Sequence, residues 1–222
     1  MNECTEIKLN DKFGVWQSVL FLKKNERGID LELSQSIIEL REKFKNTPWL
    51  KIFDFPETKY EKRLVEFAES RRCLIAAFKK LSENNSLNEK TPIHLSLSHT
   101  STHSVALATL DNQKRFSGVG VDIELRDREI KASVRAKFIF KSEAIFHLKP
   151  LEIWTIKEAS FKANSNLAGI PLFQYEIIEY DPLQSEGKTV VAESPSRKTT
   201  FKMCLLDNLL ITAAFALKKA RT

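Results

Sequence analysis

A chain of 222 residues with 42% apolar and 29% charged side chains can bury a full core, which excludes disorder, collagen and coiled coil. Its longest uncharged apolar run, residues 209–217, falls far short of the about 20 residues that cross a bilayer core, so no membrane span is expected. The 35 Lys and Arg outnumber 29 Asp and Glu, for a net charge of +6 that favours anionic partners.

Near the start, Glu3 and Glu6 stand where a secretory signal carries positive charge. Cys4, Cys73 and Cys204 lack the spacing of a zinc site or a disulfide scaffold. A cytoplasmic protein with reduced thiols is expected. Residues 13–24 read as a strand and 25–28 as a turn. Ser36 and Glu39 have capping-box spacing, and Ile37, Leu40, Arg41 and Phe44 keep helical period up to a stop at Thr47-Pro48. A longer helix is predicted over 59–81, with Leu64, Phe67, Ala68, Ile75 and Phe78 as its apolar stripe. Arg71 falls inside that stripe and Arg72 on its edge. Residues 82–92 read as a surface loop. Strands follow at 93–97 and 104–110, then a turn over 111–118 and a strand over 119–125. Residues 127–164 are mostly helical, with Pro150 suited to a first helical turn. Antiparallel strands fill 173–217, broken at Asp181-Pro182, Glu186-Gly187 and Asp207-Asn208.

Each half has one long amphipathic helix and ends in a strand rich in Ala, Leu and Thr, with 103–110 echoing 210–217. A chance match between two buried strands is the alternative. Taken as a repeat, the pattern predicts an α+β protein of two similar lobes, 1–112 and 113–222. Each lobe is an antiparallel sheet packed with a long helix, and the cleft lies at their junction.

Three clusters carry chemistry. Gly118-Val119-Gly120 lacks the third glycine of a dinucleotide fingerprint and is followed by acids, so that reading is rejected. On a strand, Asp122 and Glu124 project from one face. Such a pair is tolerated in water or around a divalent cation, and the apolar flanks Val119, Val121 and Ile123 favour the cation. On a helix, Trp154, Glu158, Phe161 and Lys162 share a face. By itself this is an exposed Glu158–Lys162 pair worth about 0.3–0.5 kcal/mol. If Glu158 meets Asp122 and Glu124, a hard-oxygen site for Mg²⁺ results, with Lys162 beside a bound phosphate. In the third cluster, from Ser96 to His103, Ser98 and His99 point opposite ways along a strand. A nucleophilic pair is therefore disfavoured. Anion binding suits them better, against the alternative of a polar loop. The basic stretch 126–141 raises nucleic-acid binding, but Asp127 and Glu129 within it and Glu143 beyond it make a solvated helix face the better reading; no nucleic acid is expected.

The order Ser98-His99, then Asp122-x-Glu124, then Trp154-x-x-Lys157-Glu158-x-x-x-Lys162 resembles the 4′-phosphopantetheinyl transferase superfamily. Length and motif position are similar to its Sfp-type members, monomers built as pseudo-dimers of two α+β lobes. The resemblance spans about 59–217 and rests on the joint occurrence of short motifs in order. It implies transfer of the phosphopantetheine arm of coenzyme A to a serine of an apo acyl or peptidyl carrier protein, with release of adenosine 3′,5′-bisphosphate. This is the reaction of a holo-acyl-carrier-protein synthase. The resemblance implies Mg²⁺ on Asp122, Glu124 and Glu158, with Glu158 also the base for the carrier serine. Asp122, Glu158 and Lys162 are then the catalytic set, Lys162 holding the pyrophosphate and Lys157 adding a further coenzyme A contact. Ser98, His99 and either Arg72 or Arg71 meet the adenosine and 3′-phosphate end. Lys90 joins them, in Glu89-Lys90-Thr91-Pro92 where family members have Gly-Lys-Pro. Glu143 and Trp154 support the site from behind. The alternative is a module that binds coenzyme A or a carrier protein without turnover.

Overall fold

Largely apolar strands build two antiparallel sheets in the computed structural model, which describes residues 5–7, 17–24, 31–45, 47–54, 61–83, 85–164 and 170–218. The chain divides into two compact units, Met1–Gln113 and Lys114–Thr222. Among the described residues, no helix is long and apolar enough to cross a membrane. Cys4, residues 13–16 and the expected turn at 25–28 lie outside the described residues.

The first unit contains β1 (Thr5–Ile7), β2 (Gln17–Lys24), α1 (Leu31–Lys43), a 3₁₀ turn (Pro48–Phe53), α2 (Glu61–Glu83), β3 (Ile93–His99) and β4 (His103–Leu110). Its sheet runs β1-β2-β4-β3. Helix α1 already includes Leu31, so Ser36 and Glu39 lie inside it and do not cap its start. Leu33 and Ile37 are both buried at i and i+4, and their packing extends the helix through the apparent start signal. Helix α1 ends at Lys43, before the expected stop at Thr47-Pro48, and Pro48 opens the 3₁₀ turn. That turn brings Trp49 within 5.3 Å of the Phe44 ring and 5.5 Å of Phe78, while Phe44 and Phe78 meet edge to face. The α2 stripe is buried at Phe67, Ala68, Ile75 and Phe78 and only half-buried at Leu64.

The second unit contains β5 (Phe116–Leu125), α3 (Ala132–Phe138), a 3₁₀ turn (Lys141–Phe146), α4 (Pro150–Ala163), a further 3₁₀ turn (Leu172–Gln174), β6 (Tyr175–Asp181), β7 (Glu186–Val191), β8 (Ser194–Leu206) and β9 (Leu209–Leu217). Its sheet runs β5-β9-β8-β7-β6. Strand β5 starts earlier than the sequence suggests, because Phe116 is fully buried and pairs with Leu217 across an irregular register. The expected break at Glu186-Gly187 is instead inside β7. The turn falls before it, where Ser185 takes the left-handed conformation at φ 52°. A Cβ on Gly187 would lie 2.1 Å from the Glu179 carbonyl oxygen, so this glycine admits a neighbouring strand rather than turning the chain. Pro150 occupies the first turn of α4, as its ring favours.

In each unit a strand, a long helix and a hairpin follow in that order. The hairpin's second strand lies between the other two, giving β2-β4-β3 in the first unit and β5-β9-β8 in the second. Helix α2 packs on β2 and β4, and α4 packs on β5 and β9.

Candidate active site

On β5, positions 118, 120, 122 and 124 share one face. The first two are glycine, and α4 lies directly against them. A Cβ on Gly120 would fall 1.9 Å from the Ala159 carbonyl oxygen, and one on Gly118 would fall 2.3 Å from that of Ala163. Gly118-x-Gly120 is thus a seat for a helix, and the seat fixes which α4 residues border the next two strand positions. Gly120→Ala should push α4 off β5 and cost about 1–3 kcal/mol. A shift in the urea midpoint at unchanged slope measures this; an unchanged midpoint would show that the helix is free to yield.

Beyond the seat, Asp122 and Glu124 are 4% and 8% exposed. The Lys162 ammonium, on α4, donates to Asp122 Oδ1 at 2.8 Å and to the Val121 carbonyl at 3.1 Å. Glu158 stands one helical turn earlier. Burial pushes its carboxyl above the ordinary range, and repulsion from Asp122 and Glu124 adds to this against the pull of Lys162 and Arg128. Burial likewise raises Glu124, helped by Asp122 and opposed by Arg128 and by a hydrogen bond from the Trp154 side chain. The Arg128 guanidinium donates to Glu124 Oε1 and lies 5.5 Å from the centre of the Trp154 ring. The structure thus brings Asp122, Glu124, Glu158, Lys162 and Trp154 together, with Arg128 as a sixth member that its sequence context does not single out.

Hard, anionic oxygens that repel one another are the donor type Mg²⁺ takes, and in that respect Asp122, Glu124 and Glu158 fit it. Yet among the described residues no group of three or more His, Cys, Asp or Glu is gathered closely enough to hold a metal ion. Lys162 and Arg128 supply the positive charge on two of the acids.

The raised Glu158 carboxyl has a consequence for stability. Between the ordinary glutamate value, roughly 4.3, and its raised native value, the folded chain keeps a proton that the unfolded chain has lost. Stability therefore falls as pH rises through that window. In metal-free buffer, Glu158→Gln should raise Tm at pH 7, with the gain shrinking toward pH ~4. A Tm at pH 7 equal to or below that of the parent contradicts this account.

Lys157 and Glu143 form a separate, fully buried pair. The Lys157 ammonium reaches Glu143 Oε1 at 2.8 Å and the Phe138 carbonyl at 2.5 Å, and it lies 4.3 Å from the centre of the Phe140 ring. Glu143 also accepts the backbone N–H groups of Phe140 and Ile177, each at 2.8 Å. Burial lowers the Lys157 pKa, with Glu143 acting the other way. The resemblance assigns Lys157 to coenzyme A; here its ammonium is enclosed and committed, because Ile156, Lys157 and Ser160 face the interior of the unit. Trp154 is half-buried, edge-on to Phe138 at 5.2 Å.

In the first unit, Arg71 donates to the Ile52 carbonyl and to Ser70 Oγ, both at 2.9 Å, and its guanidinium carbon lies 3.9 Å from the Phe67 ring centre. Burial lowers its pKa to about 10. Arg72 pairs with the fully buried Glu69 at 3.0 Å. Ser98 is buried and His99 exposed, on opposite faces of β3 by strand alternation. His99 Nε2 lies 3.4 Å from Glu66 Oε2 on α2. Lys90 borders a pocket of about 330 Å³ with Asn85, Asn88, Thr91 and Asn112. No protein-family model matches this chain, and no curated protein matches its sequence.

Proposed function

We propose that this chain is a 4′-phosphopantetheinyl transferase that moves the phosphopantetheine arm of coenzyme A onto a serine of an apo carrier protein. One observation carries the reading: Lys162 on α4 is bonded to Asp122 on β5, and one turn earlier on α4 burial, helped by the charges of Asp122 and Glu124, raises the Glu158 carboxyl. In this reading the serine Oγ attacks the phosphorus that bears the pantetheine arm. The bond from that phosphorus to the bridging oxygen breaks, and adenosine 3′,5′-bisphosphate leaves. Glu158 takes the serine proton, a role that a carboxyl raised toward neutrality suits. Lys162 offsets charge on the pyrophosphate, where positioning and charge neutralisation matter more than covalent catalysis. Mg²⁺ held by Asp122, Glu124 and Glu158 would polarise the pyrophosphate oxygens when bound.

Arg72 or Arg71, Lys90, Ser98 and His99 are assigned to the adenosine and 3′-phosphate end of coenzyme A. The shared strand order of the two units supports reading them as related halves of a pseudo-dimer. Release of adenosine 3′,5′-bisphosphate that needs coenzyme A and apo carrier together tests the proposal; release without carrier, or none with either, counts against it. The second reading, a non-catalytic coenzyme A or carrier-binding module, draws on Glu89-Lys90-Thr91-Pro92 standing where family members have Gly-Lys-Pro.

A further inference from the structure

We infer that Lys157 and Glu143 are positioning residues: their buried ion pair locks the rotation and axial setting of α4, and so aims Glu158 and Lys162 at Asp122. The inference rests on the transferase reading for what that aim achieves, while the geometry stands without it. Lys157 directly precedes Glu158, so the direction of one side chain fixes that of the other, about 100° round the helix. Its ammonium is gripped by the single segment 138–143, through the Phe138 carbonyl, the Phe140 ring and Glu143 Oε1. Glu143 in turn accepts the Ile177 N–H on β6, which ties that segment to the sheet.

Two features separate this pair from an ordinary stabilising contact. It costs the desolvation of two charges, and well-packed apolar side chains of similar volume would serve stability as well or better. It also continues a row of directional contacts beneath α4. Thr212 on β9 donates to Thr155 at 3.2 Å, Thr189 on β7 donates to Ser160 at 3.0 Å, and Asn164 donates to Thr199 on β8 at 2.9 Å, all of them buried. Apolar packing lets a helix slide, whereas hydrogen bonds weaken steeply out of line. The need for such a lock lies on the other side of the helix, where Lys162 bonds to Asp122. Side-chain ends lie about 5–6 Å from a helix axis, so a roll of about 20° would move the Glu158 carboxylate by about 2 Å. A misplacement of about 1 Å can already cost roughly 10²-fold in rate.

The test is a double-mutant cycle on the full chain, read by urea unfolding at pH 8 in metal-free buffer. In the parent, Asp122→Asn and Glu158→Gln should be coupled by at least about fivefold in the folding constant, as charges within one site are. In Lys157→Met/Glu143→Gln, which removes both charges and keeps an acceptor for the Ile177 N–H, that coupling should fall below about twofold. A pair that only stabilises the fold would lower the urea midpoint and leave the coupling as it was. Glu143→Asp keeps both charges but shortens the reach; it should weaken the coupling too, and it decides if the double variant does not fold. Coupling absent from the parent, or unchanged in the folded variants, overturns the inference. Transfer to a carrier separates the two readings: kcat should fall at least about tenfold in the double variant, with KM for coenzyme A unchanged. A parent that shows the predicted coupling pattern but transfers nothing sinks the transferase reading alone. A parent that transfers, with its coupling unmoved by either variant, sinks the inference alone.

Discussion

Glu158→Ala should lower the rate of phosphopantetheine transfer by about 10²–10⁴-fold, the usual contribution of a positioned base, while leaving the fold intact. Glu158 sits on the half-exposed face of α4 and is held in a charge environment that disfavours its ionised form. Its removal relieves repulsion and opens no core cavity. Lost activity with unchanged or raised Tm is the signature of a group kept for chemistry against its cost in stability. Glu158→Gln keeps the shape and loses the base, so it should be as inactive as the alanine variant. A loss under tenfold in both would remove Glu158 from the reaction and leave the acid set a structural feature.

Lys157→Met should be the most destabilising of the substitutions considered. The lysine and Glu143 are both fully buried, and Glu143 ties the 3₁₀ turn after α3 to β6 through Ile177 as well as to α4. Removing the ammonium leaves a buried carboxylate with only backbone donors, at a cost of about 3–5 kcal/mol. The double variant Lys157→Met/Glu143→Gln removes both charges and should recover part of that loss, because much of the single-variant penalty is the stranded charge. Urea unfolding of parent, single and double variants measures the coupling. A single-variant loss under about 1 kcal/mol would mean that water reaches the pair.

Much of this arrangement was legible in the residues. Apolar runs marked most of β3 and β4, helical period marked α2, and Pro150 marked the start of α4. The same-face rule paired Asp122 with Glu124 and the i, i+4 rule paired Glu158 with Lys162, while the meeting of the two pairs was implied only by the family resemblance. Other features depended on contacts that local pattern does not encode. Arg128 follows Glu124 by four residues, which in an extended strand would carry it far away; a turn returns it. Lys157 and Glu143 are fourteen residues apart across a 3₁₀ turn, so an apparent ligand cation became half of a buried pair. Ser36 and Glu39 carry the capping pattern, but burial of Leu33 and Ile37 extends α1 past it. Gly118 and Gly120 were read only for what they are not. Their use depends on how closely α4 approaches, which tertiary packing alone decides.

The most direct measurement is the intact mass of a purified apo acyl carrier protein after incubation with this chain, coenzyme A and Mg²⁺, beside Glu158→Ala and EDTA controls. The account predicts that the carrier gains one phosphopantetheinyl group on its serine and that both controls abolish the gain. Unchanged mass for acyl and peptidyl carriers alike, from a folded chain that still binds coenzyme A, would contradict it and leave the binding module in its place.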